Sequence, residues 1–396
     1  MILEILIWTS IGTIIYTYAG YPALLFIFSR FSGMLRSKST FAEPELPPVT
    51  IIIPAYNEGH IVPEKVKNTY ELDYPKDKLH IIWVTDGTTD NTYKLLSGFQ
   101  GLSVLHTKER KGKMHAMTRG LKAATTSMVI FTDANSMLNR EAVTEVVRMF
   151  SDPETGCVTG EKRIVFTAKQ KAAGAGEGLY WHYESWIKNL ESATGSVIGA
   201  AGELFALRRE LYEEVSNDTI LDDFTISIMI LLKGYRIKYA SKARGTESAS
   251  ASVKEELKRK IRIATGDIQV LVRKPGLMNP FKYGMNTWKY ISHKVLRWTL
   301  VPLAFPVALI SNLFLLGSSH ASDMYFLLFF LQIVFYLLVI SGALLRNRKT
   351  NQRMLFAPYY LFIMNYAMMA GLIRFISGRY SVTWQKVRRD EINQVI

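Results

Sequence analysis

The chain has 396 residues, a formal net charge of +14, a single cysteine, and 48% hydrophobic against 21% charged residues. The lone Cys157 excludes an internal disulfide and a cysteine-built zinc cluster, in keeping with a reducing compartment. The positive charge would admit nucleic acid, but no helix-turn-helix, zinc or ribonucleoprotein signature accompanies it. Much of it flanks apolar blocks, where anionic membrane lipid is the nearer partner.

Four blocks carry no charged residue: Ile5 to Ser29, Thr299 to Gly317, Met324 to Leu345 and Leu355 to Ile373. Each is near the ~20 residues that a helix needs to cross a hydrocarbon core, and four such runs read as membrane spans rather than buried soluble helices. The first has no basic stretch before it, has Glu4 near its start, and exceeds the ~7–15 apolar residues of a signal peptide, so a retained anchor is expected. The chain divides into an anchor (1–35), a polar domain with interfacial helices (36–298), and a C-terminal membrane region of about three hydrophobic segments with a basic tail (299–396).

Arg30, Arg36 and Lys38 follow the first block and Lys289, Lys294 and Arg297 precede the second. The loop 318–323 has no Lys or Arg, whereas "RNRKTNQR" (346–353) has four. By the positive-inside rule the polar domain is cytoplasmic, on an inner membrane. Four complete spans would place the tail outside, although it carries Arg374, Arg379, Lys386, Arg388 and Arg389. Either the tail is an exception or one block is re-entrant or interfacial, and Pro302 and Pro306 mark the second block as the candidate.

After a Pro-bearing linker, "SKSTFAEPELPP" (37–48), the polar domain alternates. "VTIIIPAYN" (49–57), "LHIIWVTDG" (79–87), "LSVLHT" (102–107) and "SMVIFTDAN" (127–135) read as short apolar strands ending in turn residues. Helical segments at 63–72, 90–98, 112–124 and 139–149 separate them. Such alternation predicts βαβ units, a mainly parallel sheet, and ligands at the carboxyl ends of its strands. Asp86, Asp133 and Asn135 all lie at such ends. A few oxygen ligands of this kind suit Mg²⁺ or Mn²⁺ completed by phosphate oxygens, although ordinary turn chemistry also favours Asp, Asn and Gly there.

In order and spacing, "VTIIIPAYNEG", "VTDGTTDNT", "KGKMHAMTRGL" and "VIFTDANS" resemble the family 2 inverting glycosyltransferases of GT-A fold. "GAAGELFALRRELY" (199–212), "ILDDFTISIMILLKGYRI" (220–237) and "RKIRIATG" (259–266) extend the resemblance over nearly the whole chain. It is closest in pattern to the membrane-embedded branch with the cellulose, hyaluronan, chitin and poly-N-acetylglucosamine synthases. The resemblance implies that Ala55, Tyr56 and Glu58 line a nucleotide pocket, that Asp86 holds the uracil or ribose, and that Lys113 lies near the diphosphate. Asp133 and Asn135 match its Asp-x-Asp metal element, with a neutral amide in the second place. Thr118 stands where the family often has Asn.

An inverting transfer needs a base opposite the leaving diphosphate. Asp223 occupies the family's base position, with Asp222 in place of the more usual Glu; two acids also suit a helix N-terminus. Arg259 and Arg262 match a processive Gln/Arg-x-x-Arg-Trp element and would clamp diphosphate or acceptor, whereas Ile263 replaces the Trp. The same segment also reads as a basic amphipathic helix on lipid headgroups. The aromatics of "GLYWHYESWIKNLES" (178–192) fit a helix core as readily as a sugar platform, and His115 and His182 lack metal-ligand spacing.

The expectation is an α/β membrane-bound hexosyltransferase. It would move sugar from a nucleotide sugar, a UDP-sugar by preference, onto a growing cell-surface polysaccharide in β-linkage, with export subunits as candidate partners. Single transfer to a polyprenyl-linked acceptor is the first alternative. A non-catalytic sugar-nucleotide sensor or assembly subunit is the second.

Overall fold

The structure, a computed structural model, describes residues 1–35, 46–166, 171–249, 253–319, 321–345 and 356–380. Most of the linker, the basic loop 346–353, and Lys386, Arg388 and Arg389 lie outside the described residues.

The first apolar block forms α1 (Ile2–Ile15) and α2 (Tyr21–Leu35), joined without a break by a π-helical turn at Tyr16–Gly20. Among the described residues three helices are long and apolar enough to cross a membrane: Ile2–Phe31, Asp323–Leu345 and Phe356–Ile376. Phe330, Leu331, Leu337 and Ile340 of the middle one are exposed, as expected of a lipid-facing surface. The chain is an integral membrane protein. The block singled out for its prolines behaves differently. Met285–Trp298 and Leu300–Leu316 form a helix pair bent by 53°, a broken span or a re-entrant loop. The bend falls at Thr299, just before Pro302, where the missing backbone donors loosen the helix ladder.

Among the described residues the polar domain forms an eight-stranded mixed sheet in the order β3-β2-β1-β4-β7-β6-β8-β5. The four expected strands are β1 (Val49–Ala55), β2 (Leu79–Thr85), β3 (Ser103–Leu105) and β4 (Met128–Phe131), all parallel. Four more complete it: β5 (Met137–Leu138), β6 (Thr155–Val165), β7 (Phe205–Arg208) and β8 (Arg236–Ser248). β7 is antiparallel to β4 and β6, while β6 and β8 are parallel.

All seven β1 side chains are buried because both faces of the sheet are covered. Ile52, Val84 and Phe131 enter one core; Ile51, Ile53, Trp83 and Ile130 enter the other. α3 (Val62–Tyr70) and α6 (Ala142–Arg148) close the second core. The connecting helix α4 (Thr92–Leu96) is short. α5 (Lys113–Ala123) closes the first core, followed by α8 (Asp222–Leu232) and α9 (Val253–Arg273), whereas α7 (Lys171–Ala193) packs against α2 and the last span.

Candidate active site

The exits of β1, β2 and β4 converge with the N-termini of α5 and α8. A pocket there is lined by Pro54, Ala55, Tyr56, Asp86, Arg110, Gly112, Lys113 and Ala116. Asp86 is buried, and its carboxylate accepts hydrogen bonds from the backbone N–H groups of Lys111 (3.1 Å) and Gly112 (2.7 Å). These bonds fix the loop that enters α5. Gly87, at φ +63°, permits that approach, since a Cβ would meet the Arg110 backbone at 2.7 Å. The Arg110 guanidinium lies 3.8 Å from the centroid of the half-buried Tyr56 ring, a cation–π wall for the pocket.

Lys113 joins the two halves of the site. Its ammonium lies 2.8 Å from Asp133 Oδ1 and 3.1 Å from Asp222 Oδ2. Burial lowers its pKa, but Asp133, Asp222 and Asp223 outweigh that and hold it above the ordinary lysine value. Gly202 brings the segment before β7 into the same corner: a Cβ there would meet Asp223 Oδ2 at 3.1 Å and Lys113 Nζ at 3.5 Å. Burial, and then the neighbouring charge of Asp222, push the Asp223 carboxyl up to about 6 against the pull of Lys113. A carboxyl of that pKa is ionised at neutral pH yet basic enough to take a proton.

The half-buried Asp133 and Asn135 share the turn after β4. Among the described residues no three His, Cys, Asp or Glu side chains gather as a metal cage. One carboxylate and one amide oxygen on a single turn are too few for a closed protein cage; such a pair would suit Mg²⁺ or Mn²⁺, which share their shell with phosphate oxygens.

Ala55, Tyr56, Asp86 and Lys113 thus meet in one pocket, with Asp133, Asp222 and Asp223 gathered around Lys113. Glu58 is absent from that lining. It is buried behind β1, where its backbone N–H bonds Thr92 Oγ1 at 2.8 Å and anchors α4. The two arginines of α9 also part company. Arg259 is held by Glu256, Nη2 to Oε1 at 2.9 Å, with Glu177 at 3.9 Å. Arg262 forms no hydrogen bond or ion pair among the described residues; burial lowers its pKa, while Asp222, Asp223 and Asp133 favour its charge. Ile263 is half-buried. The paired arginines of "FALRRELY" are structural: Arg208 bonds the Phe150 and Thr155 carbonyls, and Arg209 that of Ala124. Thr118 shares a 2.7 Å hydroxyl contact with Tyr212.

Sequence reasoning missed Arg110 and Lys65. The Lys65 ammonium, fully buried in α3, donates to Thr132 Oγ1 at 3.3 Å and to the Ser136 carbonyl, bracketing the Asp133 turn from behind. A lysine facing the core instead of solvent was the available signal.

Residues 50–216 match the family described as Glycosyl transferase family 2. Among curated proteins the chain is similar to the poly-beta-1,6-N-acetyl-D-glucosamine synthase of Staphylococcus aureus (strain COL), 28% identical over 262 residues, or 63% of this chain and 62% of that protein. The similarity to the synthase of the same name from Staphylococcus epidermidis is 26% over 283 residues, 69% and 67% of the two chains. The matched part therefore spans about 62% of the length of the first relative. Among solved structures, the mannosyltransferase PcManGT from Pyrobaculum calidifontis, in complex with GDP-Man and Mn²⁺, superposes with a TM-score of 0.69 at 23% identity, covering 95% of this chain and 100% of that one. That likeness is one of fold, and with the family match it identifies the polar domain as GT-A.

Proposed function

We propose that this chain, which carries a glycosyl transferase family 2 domain over residues 50–216, is an inverting enzyme that transfers a sugar from a nucleotide sugar to a growing cell-surface polysaccharide in β-linkage. The names of the staphylococcal relatives support the polymer and its β-linkage, and a UDP-sugar is the donor to test first. The catalytic domain would face the cytoplasm from an inner membrane, with export subunits as candidate partners.

The observation that carries it is the single ammonium shared by Asp133 and Asp222, with Asp223 in the same corner at a pKa of about 6. Asp86, Ala55 and Tyr56 would seat the nucleoside, and Lys113 and Arg262 the diphosphate. Asp223 takes the proton from the acceptor hydroxyl as its oxygen bonds the anomeric carbon. The carbon–oxygen bond to the diphosphate breaks on the opposite face, which inverts the configuration. Mg²⁺ or Mn²⁺ held by Asp133 and Asn135 would neutralise charge on the leaving diphosphate.

The test is incubation of the membrane-purified chain with a panel of nucleotide sugars, following nucleoside diphosphate release and product mass. A ladder supports polymer synthesis. A single increment supports the second reading, one transfer to a polyprenyl-linked acceptor, which Ile263 favours because it has no flat face for the sugar between additions. Binding without release favours a sensor.

A further inference from the structure

Behind the Asp223 corner, where α7 meets the first span and the bent helix pair, lies a second group of charged side chains. Glu184 and Glu191 face His293 from both sides, Oε2 to Nε2 at 3.2 Å and Oε1 to Nδ1 at 2.7 Å. The Tyr21 hydroxyl donates to Glu191 at 2.6 Å. Arg297, 7% exposed, gives Nη1 to Glu184. Lys289 is fully buried, and its ammonium donates to the carbonyls of Glu191 and Ser196, both at 2.9 Å, and more distantly to that of Thr194.

The cations outnumber the anions. Lys188, Lys289, Lys294 and Arg297 accompany Glu184 and Glu191, with Asp267 near Lys294; burial pushes the Asp267 carboxyl well above its ordinary range. Lys294 reaches Glu184 only at 3.9 Å and has no hydrogen bond among the described residues. Lys188 lies 5.8 Å from the centroid of the Tyr239 ring and has neither hydrogen bond nor ion pair there. Burial and the charge of Lys294 lower its pKa. Arg297 leaves Nε and Nη2 buried without a hydrogen-bond acceptor. These two nitrogens form one edge of the guanidinium, the edge that takes two oxygens of a phosphate or carboxylate in parallel. The Tyr183 hydroxyl beside it donates instead to the Tyr18 carbonyl at 2.9 Å, and the Tyr18 and Tyr183 rings flank the guanidinium at 5.4 and 5.7 Å.

We infer that Arg297, Lys294 and Lys188 form a second site, for the phosphate group of a membrane-embedded molecule. Arg297 is buried with an unused guanidinium edge, and Lys188 and Lys294 are half-buried beside it; such an excess of cations is costly until an anion completes it. A phosphate offers at least two oxygens to Arg297 and further charge to the lysines. Membrane attachment follows from position: Tyr18 belongs to the first span, and Arg297 stands one turn before the apolar helix Leu300–Leu316. The link to the reaction follows from packing, since Trp298, next to Arg297, lies edge-on to the Phe224 ring beside Asp223, centroids 5.4 Å apart. That the phosphate belongs to the acceptor, as a lipid carrier's headgroup, rests on the proposed transferase; the binding site does not.

The test measures binding without donor sugar, on the full chain in lipid nanodiscs, using farnesyl phosphate, farnesol and inorganic phosphate. Farnesyl phosphate is expected to bind at least ~10-fold more tightly than farnesol, the scale of a charge-assisted hydrogen bond. Lys188→Gln and Lys294→Gln, neither of which breaks a hydrogen bond, are each expected to weaken it by roughly tenfold. Arg297→Lys keeps the charge that Glu184 needs and loses the two-oxygen edge, so it too should weaken binding with the melting temperature retained. Inorganic phosphate that competes as tightly as farnesyl phosphate would support the phosphate chemistry and overturn the assignment to a lipid. Farnesol binding as tightly as its phosphate, or variants without effect, overturns the site. Because no transfer is measured, failure here leaves the donor-panel experiment to judge the transferase separately.

Discussion

The corner around Lys113 and Asp223, proposed above to take the donor, and the membrane-side charge cluster are built by different means. In this corner each side chain sits at a strand exit or close to the start of a helix, and most partners follow one another in the βαβ alternation: Asp86 bonds residues 111 and 112 and Lys113 pairs with Asp133, while the Lys113–Asp222 pair alone reaches far along the chain. In the cluster the partners are far apart in sequence, with Glu184 and Arg297 separated by 113 residues and Tyr21 and Glu191 by 170. The first arrangement follows from the alternation of strands and turns and can be read along the chain. The second exists only once α7, the first span and the bent pair have packed together. The donor corner is also organised around one lysine, whereas the cluster is cation-rich, with Glu184, Glu191, Lys289, His293 and Arg297 buried.

The sharpest test of the contrast is Asp223→Asn. It should lower transfer by ~10²–10⁴-fold, the usual range for loss of a general base, while nucleotide binding is retained. In the wild type, activity should fall as pH falls through about 6, where Asp223 takes up its proton. Stability should respond with the opposite sign. The folded state binds this proton more tightly than the unfolded chain, so the penalty present above about pH 6 is relieved as pH falls toward the ordinary carboxylate value. Activity and melting temperature measured across that window check both signs. Wild-type transfer by Asp223→Asn would remove Asp223 from the role of base.

Glu184→Ala tests the other region. Removing the carboxylate strips Arg297, Lys294 and His293 of a shared partner, and breaking a buried pair in this way costs about 3–5 kcal/mol. The melting temperature should drop far more than for any substitution in the donor corner. An unchanged melting temperature would mean that the cluster is not a packing element of the folded state.

The same division explains what was legible. Strands 49–57, 79–87, 102–107 and 127–135 appear in shortened form, because apolar runs bounded by turn residues identify buried parallel strands. Strands β5 to β8 were not resolved from sequence, since β6 and β8 interleave polar residues that meet partners such as Glu203 and Glu247 around Lys162. Lys289, Lys294 and Arg297 looked like a cytoplasmic flank. Lys289 and Arg297 are instead buried among carboxylates and carbonyls, and Lys294 is only 14% exposed, so they say less about orientation than their spacing suggested. Arg259, read with Arg262 as a pair, is occupied by Glu256, an acid three residues earlier on its own helix.

A smaller effect is expected at the turn after β4, where a metal is proposed. Asn135→Asp adds a second carboxylate beside Asp133, and the Mn²⁺ concentration for half-maximal binding should fall on the order of tenfold, ~1.4 kcal/mol. Manganese titration by electron paramagnetic resonance in the presence of UDP reads this without turnover. Full activity of the wild type in excess chelator would sink the metal assignment.

The smallest effect, and the one that bears on both regions, is expected from Ile263→Trp. Ile263 lies on α9 one residue beyond Arg262, whose charge reaches the donor corner, and it is half-buried. If a flat ring at this place holds the end of a glycan between additions, stacking worth about 0.5–1.5 kcal/mol should lengthen residence by roughly tenfold at most, seen as longer products at similar initial rates. If acceptors are held instead through a phosphate at Arg297, the tryptophan should leave product length unchanged and Lys294→Gln should shorten residence. If Ile263 only anchors an interfacial helix, the tryptophan should alter membrane association or melting temperature alone. Product-length distributions for wild type, Ile263→Trp and Lys294→Gln, taken at equal donor consumption, separate the three. Long polymers from the wild type would show that retention does not need an aromatic at 263, and would move the search for it to Tyr180, Trp181 and the membrane path.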